Sequence, residues 1–366
     1  MKRASGVESR HVSEEVVFAE SFATDVFDES PGADGLPDLL EVEDLTVEIQ
    51  TDSGPRLVVE DINFTIGNGK TLGLVGESGS GKTATALAIA GLIRPPTGSI
   101  TKGRVLLEGR DLVAMSERQL ASVRGLDLAM IFQEPRRSLD PSFTVGAQIA
   151  EVVRRHRGWS RKRSWRHAVE MLDRVRIPSP ERRAHAYPHM LSGGMCQRVM
   201  IALALSCEPR LLIADEPTTA LDVTIQREIL KLIRELQIEM GLTVLFITHD
   251  LGIVAEMCDE VAIMYGGQVV ERAPAMDLFL RPAHPYTEAL LKSIPLPQSG
   301  STRQELLTIK GVPPGLDDRP QGCRFHPRCA YVQSPLCVAE VPEMHTQALN
   351  DCRCVRAQDL ALRGIV

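Results

Sequence analysis

Nowhere in its 366 residues does the chain carry an unbroken apolar run of about 18, the length a bilayer-crossing helix needs. No membrane-spanning helix is therefore expected. Lys2 and Arg3 have no apolar stretch behind them, so the N-terminus does not read as a secretory signal, and the expected compartment is the cytosol. An excess of basic charge is also missing. The net charge of −7 speaks against nucleic acid as a partner. No segment of about 20 to 50 residues recurs, which excludes a repeat array. The paired C-x₂-C spacing of zinc ribbons is absent as well. What remains is a 43% apolar chain long enough for one large domain with appendages, or for two modest domains.

Residues 1–38 are rich in Glu, Asp, Ser, Gly and Pro without a steady period and read as a disordered acidic arm. Order is expected from Leu39. Glu41 to Gln50 alternates in part as an edge strand does, and a turn at Thr51–Pro55 leads to a second strand over Arg56–Ile66. Leu211–Ala214 and Thr243–Thr248 are apolar without alternation, as parallel strands covered on both faces are. Val261–Glu271, with Gly266-Gly267 at its centre, reads as a hairpin. Before these strands, residues 134–190 turn helical and basic, as a helical insertion in an α/β body would. The runs Arg154-Arg155-His156-Arg157 and Arg161-Lys162-Arg163 fit a solvated helix face better than a lipid-headgroup contact. From about residue 281 the chain becomes proline- and cysteine-rich.

The chemistry is concentrated in Gly76-Glu77-Ser78-Gly79-Ser80-Gly81-Lys82-Thr83, a full match to G-x-x-x-x-G-K-[ST]. It follows the apolar strand Thr71–Val75 and precedes the helix-forming run Thr83–Leu92. Glycines let backbone N–H groups turn toward phosphate oxygens, and the helix adds its positive end. Lys82 is placed to reach the β- and γ-phosphates, and the Thr83 hydroxyl to ligate Mg²⁺. Asp215 ends a buried strand, where a carboxylate is costly unless it serves a cation. Glu216 follows it and should point the opposite way if the strand continues. It suits polarisation of a water attacking the γ-phosphate.

Leu191-Ser192-Gly193-Gly194-Met195-Cys196-Gln197 resembles the signature sequence of ABC-type ATPases. Gln133 resembles their Q-loop, Asp222 in Ala220-Leu221-Asp222 their D-loop, and His249 their switch histidine. The resemblance covers about residues 39–271. It implies a P-loop NTPase of ABC type: an α/β cassette over 39–280 with an antiparallel β subdomain, the helical subdomain at 134–190, and a small Cys-rich C-terminal extension over 281–366. It also implies a head-to-tail pair of ATPase subunits. ATP would lie between the glycine loop of one and Ser192, Gly193, Gly194 and Gln197 of the other, with Asp222 nearby. Gln133 would sense Mg²⁺ beside Thr83 and Asp215, and His249 would hold the γ-phosphate. Family members usually stack adenine on an aromatic residue near the end of the first strand, and this chain has Ile49 there.

His284-Pro285-Tyr286-Thr287 and Gly322–Cys329 resemble the C-terminal extension of oligopeptide and dipeptide importer ATPases, a group close to nickel importers. So does Ser138-Leu139-Asp140-Pro141, although the common form has Asn in place of Asp140. This resemblance implies two integral membrane permease subunits, an extracytoplasmic solute-binding protein, and a second ATPase that is identical or paralogous, all serving peptide import from the cytoplasmic face of the membrane. The alternatives are nickel as cargo, or a soluble ABC protein outside transport. Five cysteines lie at 323, 329, 337, 352 and 354. Four soft thiolates in a reducing compartment suit Zn²⁺ or an iron–sulfur cluster. Relatives in this group carry a 4Fe–4S cluster on such a tail, which implies Cys323, Cys329, Cys337 and Cys354 as ligands. Cys352 competes for the last place.

Overall fold

The computed structural model describes residues 38–219, 221–294, 308–347 and 350–365. The predicted acidic arm, apart from Asp38, lies outside the described residues. Residues 37–294 and 307–366 form one compact unit.

Its first sheet is antiparallel, in the order β2 (Gly54–Ile66), β1 (Leu40–Thr51), β4 (Gly98–Leu107), β5 (Arg110–Asp111). The second sheet starts from β3 (Thr71–Val75), and the phosphate loop and helix α1 (Lys82–Ile89) follow that strand. Helix α2 (Glu117–Val123) leads to β6 (Leu128–Ile131). The helices of the expected insertion come next, α3 (Pro135–Ser138), α4 (Val145–Arg157), α5 (Arg161–Arg174) and α6 (Pro180–Arg183), followed by α7 (Gly193–Leu205). β7 (Leu211–Asp215), α8 (Val223–Met240), β8 (Thr243–Thr248), α9 (Leu251–Met257), β9 (Glu260–Tyr265) and β10 (Gln268–Pro274) complete the body. β6, β7, β8, β3 and β9 run parallel in that order, and β10 returns antiparallel beside β9, as the Gly-Gly turn predicts.

Every residue of β3, β7 and β8 is buried, which is why their sequences do not alternate. One core lies between the sheet and the insertion, with Phe246, Leu172, Val199 and Ile233. A second joins the antiparallel sheet to the other face through Val59, Phe64, Ile89 and Leu245. Truncating Phe246 to Ala in such a core costs about 3–5 kcal/mol. The four basic residues Arg154–Arg157 close the C-terminal turn of α4, where the helix dipole favours cations. The Asp140 carboxylate accepts from Ser142 N at 2.8 Å, a turn bond that Asn could also make.

The extension continues the same sheet. After α10 (Ala275–Leu280), α11 (Pro285–Lys292) and α12 (Leu336–Ala339), strands β11 (His345–Gln347) and β12 (Asn350–Cys352) add to its edge, β12 pairing with β10. Tyr265, Tyr286 and Phe325 fill the seam, with ring centroids 4.6 to 5.2 Å apart. Among the described residues no helix is long and apolar enough to cross a membrane.

Candidate nucleotide site

The phosphate loop is shaped by its glycines. A Cβ on Gly76 would sit 2.2 Å from the Met264 carbonyl oxygen, so packing alone requires glycine there. Gly79 (φ +79°) and Gly81 (φ +105°) turn the loop through the left-handed region. Gly81 caps α1, and Lys82 opens it. Ser78 and Gly79 are exposed, whereas Ser80 is buried with its hydroxyl unpartnered. The Lys82 ammonium lies along the inside of the loop, donating to Gly76 O (2.7 Å) and Glu77 O (3.0 Å). Burial holds its pKa below the usual lysine value, against the opposing pull of Glu216, Asp215 and Glu77.

Asp215 ends β7, and its carboxylate accepts from the Thr83 hydroxyl at 3.3 Å. Burial pushes this carboxyl up and the Glu216 charge adds to the shift, while Thr83 and Lys82 work the other way. A cation bound beside it would restore the ionised form. The strand does not continue into Glu216 as the sequence reading allowed. Glu216 takes a left-handed φ of 45°, a conformation that non-glycine residues adopt only when their surroundings hold them there. The turn delivers its carboxylate to a cluster. Gln133 Nε2 donates to it at 3.1 Å, the Thr219 hydroxyl donates at 2.7 Å, and His249 Nδ1 lies 3.4 Å away. Burial raises the Glu216 pKa, but Thr219, His249 and Lys82 outweigh it and hold the group below the usual carboxylate value. Lys82, Thr83, Asp215, Glu216, Gln133 and His249 therefore meet at one place. Thr219 was missed from the sequence; its only signal is adjacency to Asp215-Glu216.

The signature residues stand elsewhere. Ser192 caps α7, its hydroxyl accepting from Met195 N at 3.3 Å. A Cβ on Gly193 would meet nothing within 4 Å, whereas one on Gly194 would sit 2.9 Å from Ile225 Cγ2. Among the described residues no hydrogen bond joins these residues to the phosphate loop. Gln197, expected among the nucleotide contacts, is 2% exposed, and its Nε2 is buried without a hydrogen-bond partner. Asp222 occupies the cap position of α8, exposed and without a capping bond. Ile49 is half-buried near the end of β1.

In the extension Cys323, Cys329, Cys337 and Cys354 line one small cavity of about 20 Å³, together with His284, Phe325 and Arg356. Cys352 does not line it; it is packed in β12 at 1% exposure. Burial raises the pKa of the Cys323 thiol to about 11 and raises those of Cys329 and Cys354 as well. Among the described residues no three Cys, His, Asp or Glu side chains are grouped closely enough to hold a single metal ion.

Residues 59–219 match the family model described as ABC transporter, and residues 270–337 match the oligopeptide/dipeptide transporter C-terminal region. The oligopeptide transport ATP-binding protein OppD of Bacillus subtilis is 49% identical over 80% of this chain and 82% of its own length. The dipeptide transport ATP-binding protein DppD of Haemophilus influenzae is 45% identical over 86% of this chain and 94% of its own. Among solved structures, a dimeric ATP-binding cassette in a post-hydrolysis state, bound to ADP and Pi, superposes with a TM-score of 0.58 at 26% identity. It covers 64% of this chain and 98% of that one. With a complete phosphate site in the body and this second match in the tail, the chain belongs to the ATP-binding subunits of oligopeptide and dipeptide ABC transporters.

Proposed function

We propose that the chain hydrolyses ATP to drive import of short peptides through two separate integral membrane permease subunits. The observation that carries this reading is the meeting of Lys82, the Thr83–Asp215 pair and the Gln133–Glu216–His249 cluster beside one glycine loop, in a chain whose tail matches the peptide-transporter region. The loop amides and Lys82 bind the phosphates. Thr83 and Asp215 would hold Mg²⁺, which when bound neutralises phosphate charge. Glu216, kept ionised by its neighbours, takes a proton from the attacking water. His249 contacts the γ-phosphate, and Gln133 links the site to the helical insertion. Ser192, Gly193 and Gly194 face the nucleotide of a second ATPase subunit in a head-to-tail pair. The subunit works at the cytoplasmic face of the membrane, and an extracytoplasmic binding protein selects the cargo.

The test uses the chain assembled with its permeases in lipid discs. ATP turnover is expected to rise when binding protein carrying a short peptide is added. Stimulation by nickel-loaded protein alone would transfer the reading to nickel. A chain that never associates with membranes would point to a non-transport ATPase.

We further propose that Cys323, Cys329, Cys337 and Cys354 hold a 4Fe–4S cluster. A mononuclear site draws four ligands to about 2.3 Å from one point. These thiols instead ring a cavity with mainly apolar walls, and Arg356 offsets the charge that thiolates would bring. Binding of iron would favour deprotonation of the thiols, against the burial that raises the pKa of Cys323, Cys329 and Cys354. Anaerobically purified chain is expected to absorb near about 400 nm and to contain iron. Cys354→Ser should lose both properties and Cys352→Ser should keep them. Colourless protein with stoichiometric zinc would reject the cluster.

A further inference from the structure

The extension grips the body with arginines. Arg324 pairs with Glu60 on β2, Arg353 with Asp61 at 2.9 Å, and Arg328 with Glu77. The last contact differs from the others because Glu77 belongs to the phosphate loop. Both terminal nitrogens of Arg328 engage its carboxylate, at 2.6 and 3.0 Å, and the Arg328 side chain is only 5% exposed. The guanidinium is itself fixed by Lys310 O at 3.0 Å and Tyr265 Oη at 3.2 Å. The Glu77 amide donates to Tyr286 Oη at 3.1 Å, so the extension holds this residue by backbone and side chain alike.

An acidic residue in a loop that receives a polyphosphate is a liability. Its charge lies within a Debye length of the ligand, where like charges repel. Glu77's own carbonyl also accepts from the Lys82 ammonium at 3.0 Å. A bidentate arginine both cancels that charge and fixes the loop. Arg328 precedes Cys329 directly, on a short 3₁₀ turn over His326–Arg328.

We propose that Arg328 is a positioning residue for the nucleotide site: by neutralising and orienting Glu77 it keeps the phosphate loop competent for ATP, and it couples that loop to the thiol-lined cavity of the extension. This rests on the reading of the loop as the triphosphate site. Because coupling is reciprocal, nucleotide on the loop must also steady the segment around Cys329.

The test measures equilibrium binding of a non-hydrolysable ATP analogue to the full-length chain. Arg328→Met is expected to weaken binding about tenfold at low salt, and by less at high salt, where the exposed negative charge is screened. Adding Glu77→Gln to Arg328→Met should restore affinity to within about threefold, because the repelling charge is then gone. Arg328→Lys, which keeps the charge and loses the fork, should fall between wild type and Arg328→Met. Lys82→Ala must abolish binding; if it does not, the loop is not the triphosphate site and the fault lies with that reading. Unchanged affinity in Arg328→Met, or a double variant as weak as the single, would overturn the proposal. Amide hydrogen exchange over residues 325–331 gives a second readout on the unmutated chain. Nucleotide should slow it, and exchange indifferent to nucleotide would also overturn the coupling.

Discussion

Glu216→Gln is expected to bind MgATP with near-normal affinity and to hydrolyse it roughly 10²–10⁴-fold more slowly, the range that a positioned general base contributes. The substitution is nearly isosteric. It preserves an acceptor for the Thr219 hydroxyl and for Gln133, so the left-handed turn and its hydrogen bonds survive. Only the capacity to take a proton from water is removed. Bound ATP would then persist, and the head-to-tail pair should accumulate closed. Single-turnover hydrolysis and size-exclusion in MgATP check the two halves of the expectation separately. Near-normal turnover would remove Glu216 from the base role. The surroundings also set the acid side of the pH profile. Because Thr219, His249 and Lys82 hold the Glu216 carboxyl below its ordinary value, the unmutated chain should stay active through the usual carboxylate range. Its activity should fall only at lower pH, as Glu216 is protonated.

Much of this site was legible before the fold was known, for a physical reason. The phosphate loop is contiguous, so its glycines, lysine and threonine announce themselves within eight neighbouring residues, and β3 and α1 flank it in sequence as in space. β7 and β8 are short and buried on both faces, which left an apolar, non-alternating record ending at Asp215 and at Thr248. The reading was weaker wherever the chain leaves a regular element. Whether Glu216 continued the strand depended on one backbone torsion. Thr219 acts through a turn that the composition around it does not encode. Gln197 was grouped with the signature because it follows Ser192 closely, and its burial could not be read from that adjacency.

The extension shows the same division at longer range. The choice between Cys352 and Cys354 turned on where β12 ends: the strand carries Cys352 into packing, while Cys354 beyond it reaches the cavity. Arg328 and Glu77 are separated by 251 positions, and neither looks exceptional in its own neighbourhood. Their meeting follows from the way the Tyr265–Tyr286–Phe325 cluster seats the extension against the loop.

Gly193→Val is expected to leave the chain folded and yet to lower ATP turnover of the assembled transporter by about 100-fold, the loss that roughly 1 Å of misplacement can cause. Two reasons ordinarily demand glycine, and neither applies at this position. Gly193 is the first residue of α7 and does not adopt a positive φ, and a Cβ there would meet nothing within 4 Å beyond its chain neighbours and its own helical turn. Valine should therefore cost little, because its helix propensity is no worse than that of the glycine it replaces. If the open space belongs to the nucleotide of the facing subunit, valine's methyl groups will hold the α7 amides away from the γ-phosphate they must approach. Gly194 supplies the contrast, since a Cβ there would press on Ile225 Cγ2 at 2.9 Å and any substitution mixes packing with chemistry. Thermal denaturation of the isolated Gly193→Val chain should match the unmutated one to within a few degrees. ATPase activity of the full assembly should nonetheless collapse while nucleotide binding by the isolated chain remains. Full turnover in the assembled variant would mean that nothing enters this space, and that the signature end of α7 does not close on a second site.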